Sequence, residues 1–544
     1  MPRRRAAALR ELAVVLLGAL AASCALTYPL VRRLGDSGRV DTADGRLSIW
    51  NVAWVARTLV VDPAHLFDAN IFYPHRGTLA YSENNIGAGI LALPAYWLSH
   101  RNPYAAHNVV VLAAFALSAT GMYYLVRHLT CDRRAAAVSA VMFAFTPHLF
   151  AHTAHIQLLM TAGLPFSMLA LHRLVERPGA GRGLQLGLVM AAQAVSCGYY
   201  GVFVILMVGF AVCIAAAFRR GLTLDHWKAL AVGGAVSLAI VAPLYGPYAR
   251  LQQASGFTRD LGAAVRYSAD WRAYLASAAY AHAWLLRRLD HWNEVLFPGI
   301  LTTALGAAGV WAAARREQTE RLSLYGGLAV LACWASFGPR AGLYTALYQF
   351  VPLFTWLRAP SRFGLVVAFG LSVLAGIAVS RLLPRDRRGA LAATALVVCV
   401  ALELKVPFPL ADAPALSPAY RVLRALPRAP LIEMPFYYPE VGLFQHTIYM
   451  LSSTSHWLPL VNGYSDYIPP DFLANVATLA AFPTRPALKI LEPLGVRYAM
   501  FHMYGYNAEN RREVMARLKE FEDYLRPLYV DEQTRLYEIV GFPP

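Results

Sequence analysis

The chain has 544 residues, 57% of them hydrophobic and only 15% charged, with a formal net charge of +17 and a mean hydropathy of +0.42. Soluble domains carry about 25% charged residues, so one or two soluble globular domains are excluded. Several apolar windows reach the ~20 residues that cross a bilayer, which makes the class a polytopic α-helical membrane protein. The basic surplus is mostly Arg in short loops between apolar runs. That pattern orients a chain in a membrane and argues against a nucleic-acid partner.

In chain order, the first apolar run follows "MPRRRAAALREL" and reads as an uncleaved span with a cytoplasmic N-terminus. The spans expected are 10–31, 104–126, 133–150, 156–175, 182–198, 200–218, 228–248, 295–314, 321–338, 361–383 and 389–408. The run 86–99 is short and interrupted by Pro94. If it does not cross, the N-terminal Arg cluster shares one face with "RHLTCDRR", "HRLVERPGAGR", "FRRGLTLDHWK", "AARREQTER" and "SRLLPRDRRG". This is the positive-inside pattern, so about eleven spans are expected, with 86–99 re-entrant or interfacial. The opposite, extracytoplasmic face then receives loop 32–103, the corner "TPHLFAHTAHIQ", loop 249–294, segment 339–360 and everything after Pro409.

Beyond "KVPFPLADAPALSP" the composition shifts. Turn signals alternate with strand-like runs, "PLIEMPF", "VRYAMFHM" and "TRLYEIV", around one amphipathic helical run, "NRREVMARLKEFEDYL". The expected architecture is an all-α polytopic membrane domain, 1–408, including loop 32–103, and a small C-terminal α/β domain outside the membrane, 409–544. The six cysteines form no C-x-x-C, so neither a disulfide framework nor a zinc ribbon is indicated.

The chemistry-bearing residues cluster on the outer pieces. "RVDTADGRLSIWNVAW" carries Asp41 and Asp44, then Trp50 and Trp54 near helical spacing, expected to lie at the bilayer boundary. The two aspartates read either as a functional pair or as caps of that helix in an Asx turn. Glu83 in "AYSENN" is a second loop carboxylate, or an acid suited to a helix start. "FAHTAHIQLL" sets His152, His155 and Gln157 at a corner between spans. His152 and His155, three apart, either share a metal or line a cavity. "LRAPSRFG" places Arg358 and Arg362 on the outer side, against the positive-inside trend, and Arg matches phosphate oxygens bidentately. Arg250, Arg259, Arg266 and Arg272 make loop 249–294 basic. Tyr464 and Asp466 in "GYSDYIPPDF" suit stacking on a sugar, or packing.

Taken together, "DTADGRLSIWNVAW", "LFDANIFYPHRGTLAYSEN", "FAHTAHIQLL", "VPLFTWLRAPSRFG" and "VNGYSDYIPPDF" resemble the GT-C superfamily of membrane glycosyltransferases, to which protein mannosyltransferases and aminoarabinose transferases belong. The resemblance is nearest to a bacterial group of GT-C-like multispan proteins, and these motifs run from Asp41 to about Phe472. It implies an inverting enzyme of the bacterial cytoplasmic (inner) membrane. Such an enzyme moves a sugar from a polyprenyl-phosphate donor to an extracytoplasmic glycan, lipid or protein acceptor. Asp44 matches the loop acid that serves as general base; Asp41 would orient it or bind a metal, and Glu83 would position the acceptor or share that metal. Arg358 and Arg362 would hold the carrier phosphate. No cofactor is required by this chemistry, and a divalent metal is left open. Two other readings stand beside it: a transporter or flippase of lipid-linked sugars, and a catalytically silent protein of cell-envelope assembly. The first would show inverted repeats and charges at mid-membrane depth; the spans contain few charges and no obvious repeat.

Overall fold

The computed structural model describes residues 2–256, 259–314 and 318–544. Arg315 and Arg316 of the "AARREQTER" loop, and Phe257 and Thr258 of loop 249–294, lie outside the described residues. The chain divides into two compact units. One comprises Met1–Arg33, Asn85–Leu91 and Asn108–Pro409; the other comprises Leu34–Asn84, Ala92–His107 and Leu410–Pro544.

The first unit is helical. Every run expected to span is a helix, but among the described residues seven are long and apolar enough to cross a membrane. These are Ala6–Leu26, Pro103–Thr130, Arg133–Ala151, Ile156–Glu176, Gly198–Phe218, Leu224–Ser255 and Pro360–Leu382. The other four, Ala180–Ser196, Ile300–Ala314, Thr319–Ser336 and Arg387–Glu403, have 15 to 18 residues. At 1.5 Å per residue they rise about 22–27 Å, short of a hydrocarbon core of about 30 Å. Ile86–Leu98, with Pro94 inside it, has 13 residues and falls further short.

Local chemistry sets the helix starts. Asp132 caps Arg133–Ala144 by accepting from the Arg134 N–H at 2.9 Å. Asp386 caps Arg387–Glu403 by accepting from the Gly389 N–H at 2.9 Å. Small residues let helices approach, as expected where packing rather than hydrophobicity drives association. At Gly309 any side chain would strike the backbone carbonyl of Leu374 on the facing helix.

The second unit holds six strands: β1 Ser37–Gly38, β2 Ala411–Asp412, β3 Leu431–Met434, β4 Tyr498–His502, β5 Leu525–Val530 and β6 Thr534–Ile539. β1 pairs antiparallel with β2. The others form a sheet in the order β3-β4-β6-β5, with β3 parallel to β4 and the remaining pairs antiparallel. β3 and β4 are buried at every position, including Glu433 of "LIEM" and His502 of "YAMFH". Tyr420, Leu431, Leu460, Tyr498, Met500 and Leu536 form its core. The amphipathic run becomes the helix Ala508–Glu520, capped by Asn507 accepting from the Asn510 N–H at 2.8 Å.

Helix Ala43–Val61 corrects one expectation. Trp50 is 1% exposed and Trp54 5%, so neither meets a bilayer surface. The Trp50 indole donates to Asn70 Oδ1 at 3.2 Å, the Trp54 indole to the Leu66 carbonyl at 2.9 Å, and Trp54 meets Trp457 edge-on at 5.5 Å. Each buried indole N–H has thus found an acceptor inside the protein.

Candidate functional site

In the first unit, the corner "TPHLFAHTAHIQ" forms the short helix Pro147–Ala151, which Pro147 begins and His152 ends. His148 and His152 fall on one face, as residues four apart do, with ring centroids 4.4 Å apart. His148 is 2% exposed. Its Nδ1 lies 3.1 Å from the Val295 carbonyl, and Nδ1 of His152 lies 2.8 Å from the His148 carbonyl. A carbonyl can only accept, so both Nδ1 atoms carry a proton, and in a neutral ring the lone pair then sits on Nε2.

His152 Nε2 faces Glu294 Oε2 at 3.6 Å. Glu294 also accepts from the Val295 N–H at 3.0 Å and from Ser361 Oγ at 3.4 Å. Burial alone pushes the Glu294 carboxyl up; the neighbouring His152 and His148 and the Val295 N–H more than offset it and bring it down to about 2. Glu294 is therefore a half-buried carboxylate at neutral pH. Among the described residues, His148, His152 and Glu294 are one set of histidine and carboxylate groups whose ligand atoms lie within 4.8 Å of one another. Sequence reading paired His152 with His155 and missed Glu294. His155 is farther from His152 than His148 is, at 6.2 Å between rings. The surroundings of Glu294, "DHWNEVLF", hold two carboxylates, Asp290 and Glu294, and nothing in the string singles out the second. Gln157 is half-buried in the helix Ile156–Leu159.

The "LRAPSRFG" segment joins this unit through Ser361. The Arg362 guanidinium lies 4.3 Å from the Tyr199 ring, and the Tyr199 hydroxyl accepts from the Ala359 N–H. Arg358 lies 5.4 Å from the Tyr267 ring. Next in sequence, Phe363 stacks on Phe203 at 4.2 Å. Phe363 lines one part of an apolar groove of about 190 Å³, whose other walls include Phe203, Met207, Phe210, Leu328 and Leu347. Half-buried Arg362 thus precedes in sequence a residue that lines a groove without a polar side chain, and half-buried Arg358 lies four positions earlier.

In the second unit, Thr42 caps helix Ala43–Val61 by accepting from the Gly45 N–H at 3.1 Å. Asp44 is exposed in the first turn of that helix. Asp41 is held by Arg39 through two hydrogen bonds, at 3.0 and 3.3 Å. Two turns on, Asn51 donates to the Glu83 carbonyl at 3.0 Å. The Glu83 backbone is therefore displaced from Asp44 by roughly 10 Å along the helix. "VNGYSDYIPPDF" packs on the segment 72–81: the Tyr467 N–H donates to the Tyr81 carbonyl at 2.9 Å, and the rings of Phe72 and Phe472 meet edge-on at 4.9 Å. Tyr464 is half-buried and Asp466 exposed on this turn.

The sheet of this unit buries a polar cluster that the sequence did not suggest. Glu433 is fully buried, and its Oε2 accepts from Tyr420 at 2.6 Å and bonds His502 Nε2 at 2.7 Å. Burial, and then the Glu433 charge, push the Tyr420 hydroxyl well above its ordinary pKa, so it stays a donor.

No family model matches the chain, and no curated protein matches it. Solved structures do. The arabinofuranosyltransferase AftD from Mycobacteria aligns with a TM-score of 0.53 at 14% identity, over 98% of this chain and 40% of its own length. The archaeal oligosaccharyltransferase AglB from Archaeoglobus fulgidus, in complex with an inhibitory peptide and a dolichol-phosphate, aligns at 0.48 and 13% identity over 95% of this chain and 72% of its own. ArnT from Cupriavidus metallidurans aligns at 0.45 and 13% identity over 99% and 100%. The likeness to AftD shows a shared, GT-C-like fold, and the long apolar helices make the chain an integral membrane protein. It spans 40% of the length of AftD.

Proposed function

We propose that the chain is a membrane glycosyltransferase that takes a sugar from a polyprenyl-phosphate donor and passes it to an extracytoplasmic glycan, lipid or protein acceptor. The observation that carries this reading is the apolar groove lined in part by Phe363, the residue next to Arg362 and close to Arg358 in sequence. An isoprenoid tail fits an all-apolar groove, and a phosphate needs cations where the tail stops. Asp44 serves as general base: as it takes the proton of the acceptor hydroxyl, the new C–O bond forms at the anomeric carbon and the lipid phosphate leaves. This single displacement inverts that carbon. Asp41, tied to Arg39, orients the loop, and Glu83, Tyr464 and Asp466 contribute to the acceptor side. In this reading the N-terminus is cytoplasmic, and region 409–544 is extracytoplasmic.

The test is transfer of label from a panel of radiolabelled polyprenyl-phosphate sugars by the purified protein in nanodiscs. Turnover of at least one donor is expected. Movement of those lipids across proteoliposomes, with no transfer from any of them, would replace the enzyme by a flippase. The arginines offer a second check. Arg362→Gln removes one charge-assisted contact of about 1.5–3 kcal/mol, so the donor KM should rise about 10- to 150-fold. Arg362→Lys, which keeps the charge and loses the fork, should recover only part of this. A donor KM unchanged in Arg362→Gln would remove Arg362 from the phosphate site.

A further inference from the structure

We propose that His148, His152 and Glu294 form a divalent transition-metal site of the zinc type. The inference goes beyond the transferase reading and does not depend on it.

Three observations converge. The ligand atoms lie within 4.8 Å of one another, and His152 Nε2 and Glu294 Oε2 are already 3.6 Å apart. In a tetrahedral zinc site with bonds of about 2.0–2.1 Å, neighbouring donors lie about 3.3 Å apart, so small side-chain rotations close the set. Next, both histidines donate from Nδ1 to backbone carbonyls. This arrangement fixes the ring and aims the Nε2 lone pair, as second-shell partners do for metal-bound histidine. Lastly, His148 is 2% exposed and its Nε2 has no hydrogen-bond partner. A buried acceptor left unpaired costs about 1–3 kcal/mol, and a cation at this point would satisfy it.

Two imidazoles and one carboxylate favour zinc over calcium or magnesium, which prefer all-oxygen shells. Three protein ligands leave the fourth tetrahedral position for water or for an oxygen of an anionic ligand. Ser361, bonded to Glu294 at 3.4 Å, acts as an outer-shell partner. Without a metal, His152 Nε2 faces Glu294 Oε2 at 3.6 Å beside a His148 Nε2 that has no hydrogen-bond partner.

The test uses the full-length protein in detergent, freed of any affinity tag, stripped with chelator and reloaded with Zn²⁺ or Co²⁺. One metal per chain is expected by elemental analysis, and Co²⁺ should give the intense visible bands of a four-coordinate site. His152→Gln and Glu294→Gln should each weaken binding by more than about 100-fold, and Ser361→Ala by the 10- to 100-fold typical of an outer-shell loss. Zn²⁺ should raise the melting temperature of the wild type and leave those of the two Gln variants unchanged. Absence of stoichiometric metal and of the Co²⁺ bands in the wild type would overturn the site, whatever the variants do. Equal binding by wild type and Gln variants would overturn it as well. Because binding is read without turnover, an active transferase that holds no zinc removes this site and leaves the proposed reaction standing, whereas zinc bound without transfer does the reverse.

Discussion

Asp44→Asn should slow sugar transfer by a factor of about 10²–10⁴, the usual contribution of a positioned general base. Asn matches Asp in size and keeps the first-turn place in helix Ala43–Val61. The cap belongs to Thr42, not to Asp44, so the helix start survives. Losing the favourable charge near the helix N-terminus costs only about 0.3–1 kcal/mol. The loss should therefore appear in kcat with the donor KM unchanged, because a base acts in the transition state and not in ground-state binding. Asp41→Asn gives the contrast. Its carboxylate is 41% exposed and held by Arg39, and such surface pairs contribute about 0–1 kcal/mol, so its effect should be small. Full transfer activity in a well-folded Asp44→Asn would sink the assignment of the base.

Glu433→Ala should destabilise the sheet-bearing unit by about 3–5 kcal/mol, the cost of removing one partner from a buried pair. Tyr420 and His502 would then face each other at 3.4 Å with no anion between them. No ladder hydrogen bond is lost, because the backbone of Glu433 stays tied to Asn462 through bonds of 2.8 and 2.9 Å. The triple change Tyr420→Phe, Glu433→Leu, His502→Leu removes the whole set, and should recover most of the loss, since apolar replacement of a buried polar group is often neutral. Thermal melting and limited proteolysis of the four proteins, with the single His502→Leu included, measure this. If the triple variant is no more stable than Glu433→Ala, the cost comes from packing, and the account of polar groups left without their shared partner fails.

Much of the architecture was legible because single residues announce it. The apolar runs expected between Arg-bearing loops are all helices, and the structure shows Asp132 and Asp386 capping two of them. Three of the strands of the four-stranded sheet were visible as short apolar runs. The fourth, β5, was hidden by Pro527, which cannot donate to a ladder. It is tolerated because β5 lies at the sheet edge, where the register shifts between Pro527 and Tyr529. Trp50 and Trp54 misled for a different reason: tryptophan suits both a bilayer boundary and a protein core, and only the positions of Asn70 and Leu66 decide between them. The histidine corner and "LRAPSRFG" were both recognisable, and Ser361 of the second segment meets Glu294 beside His152. Glu294 was not recognisable, since nothing local distinguishes a loop glutamate that folds inward from one that stays in solvent.

The segment that carries Asp44 draws its support from the far end of the chain. Arg46 donates to Thr447 Oγ1 at 2.9 Å, across 401 positions, and Asn70 donates to the Leu458 carbonyl at 2.9 Å, across 388. The Phe72 N–H donates to the Asn462 carbonyl at 3.1 Å, and β1 finds its partner only in β2. At about 5–20 residues per second, a ribosome needs roughly 20–80 s to deliver those partners after Arg46 has emerged. The aspartate loop must wait through that interval unassembled, with Trp50 and Trp54 not yet covered. A message cut short at Pro409 would still encode Asp41, Asp44, Glu83, the histidine corner and both arginines, and its product would still lack the scaffold that gives Asp44 a fixed place.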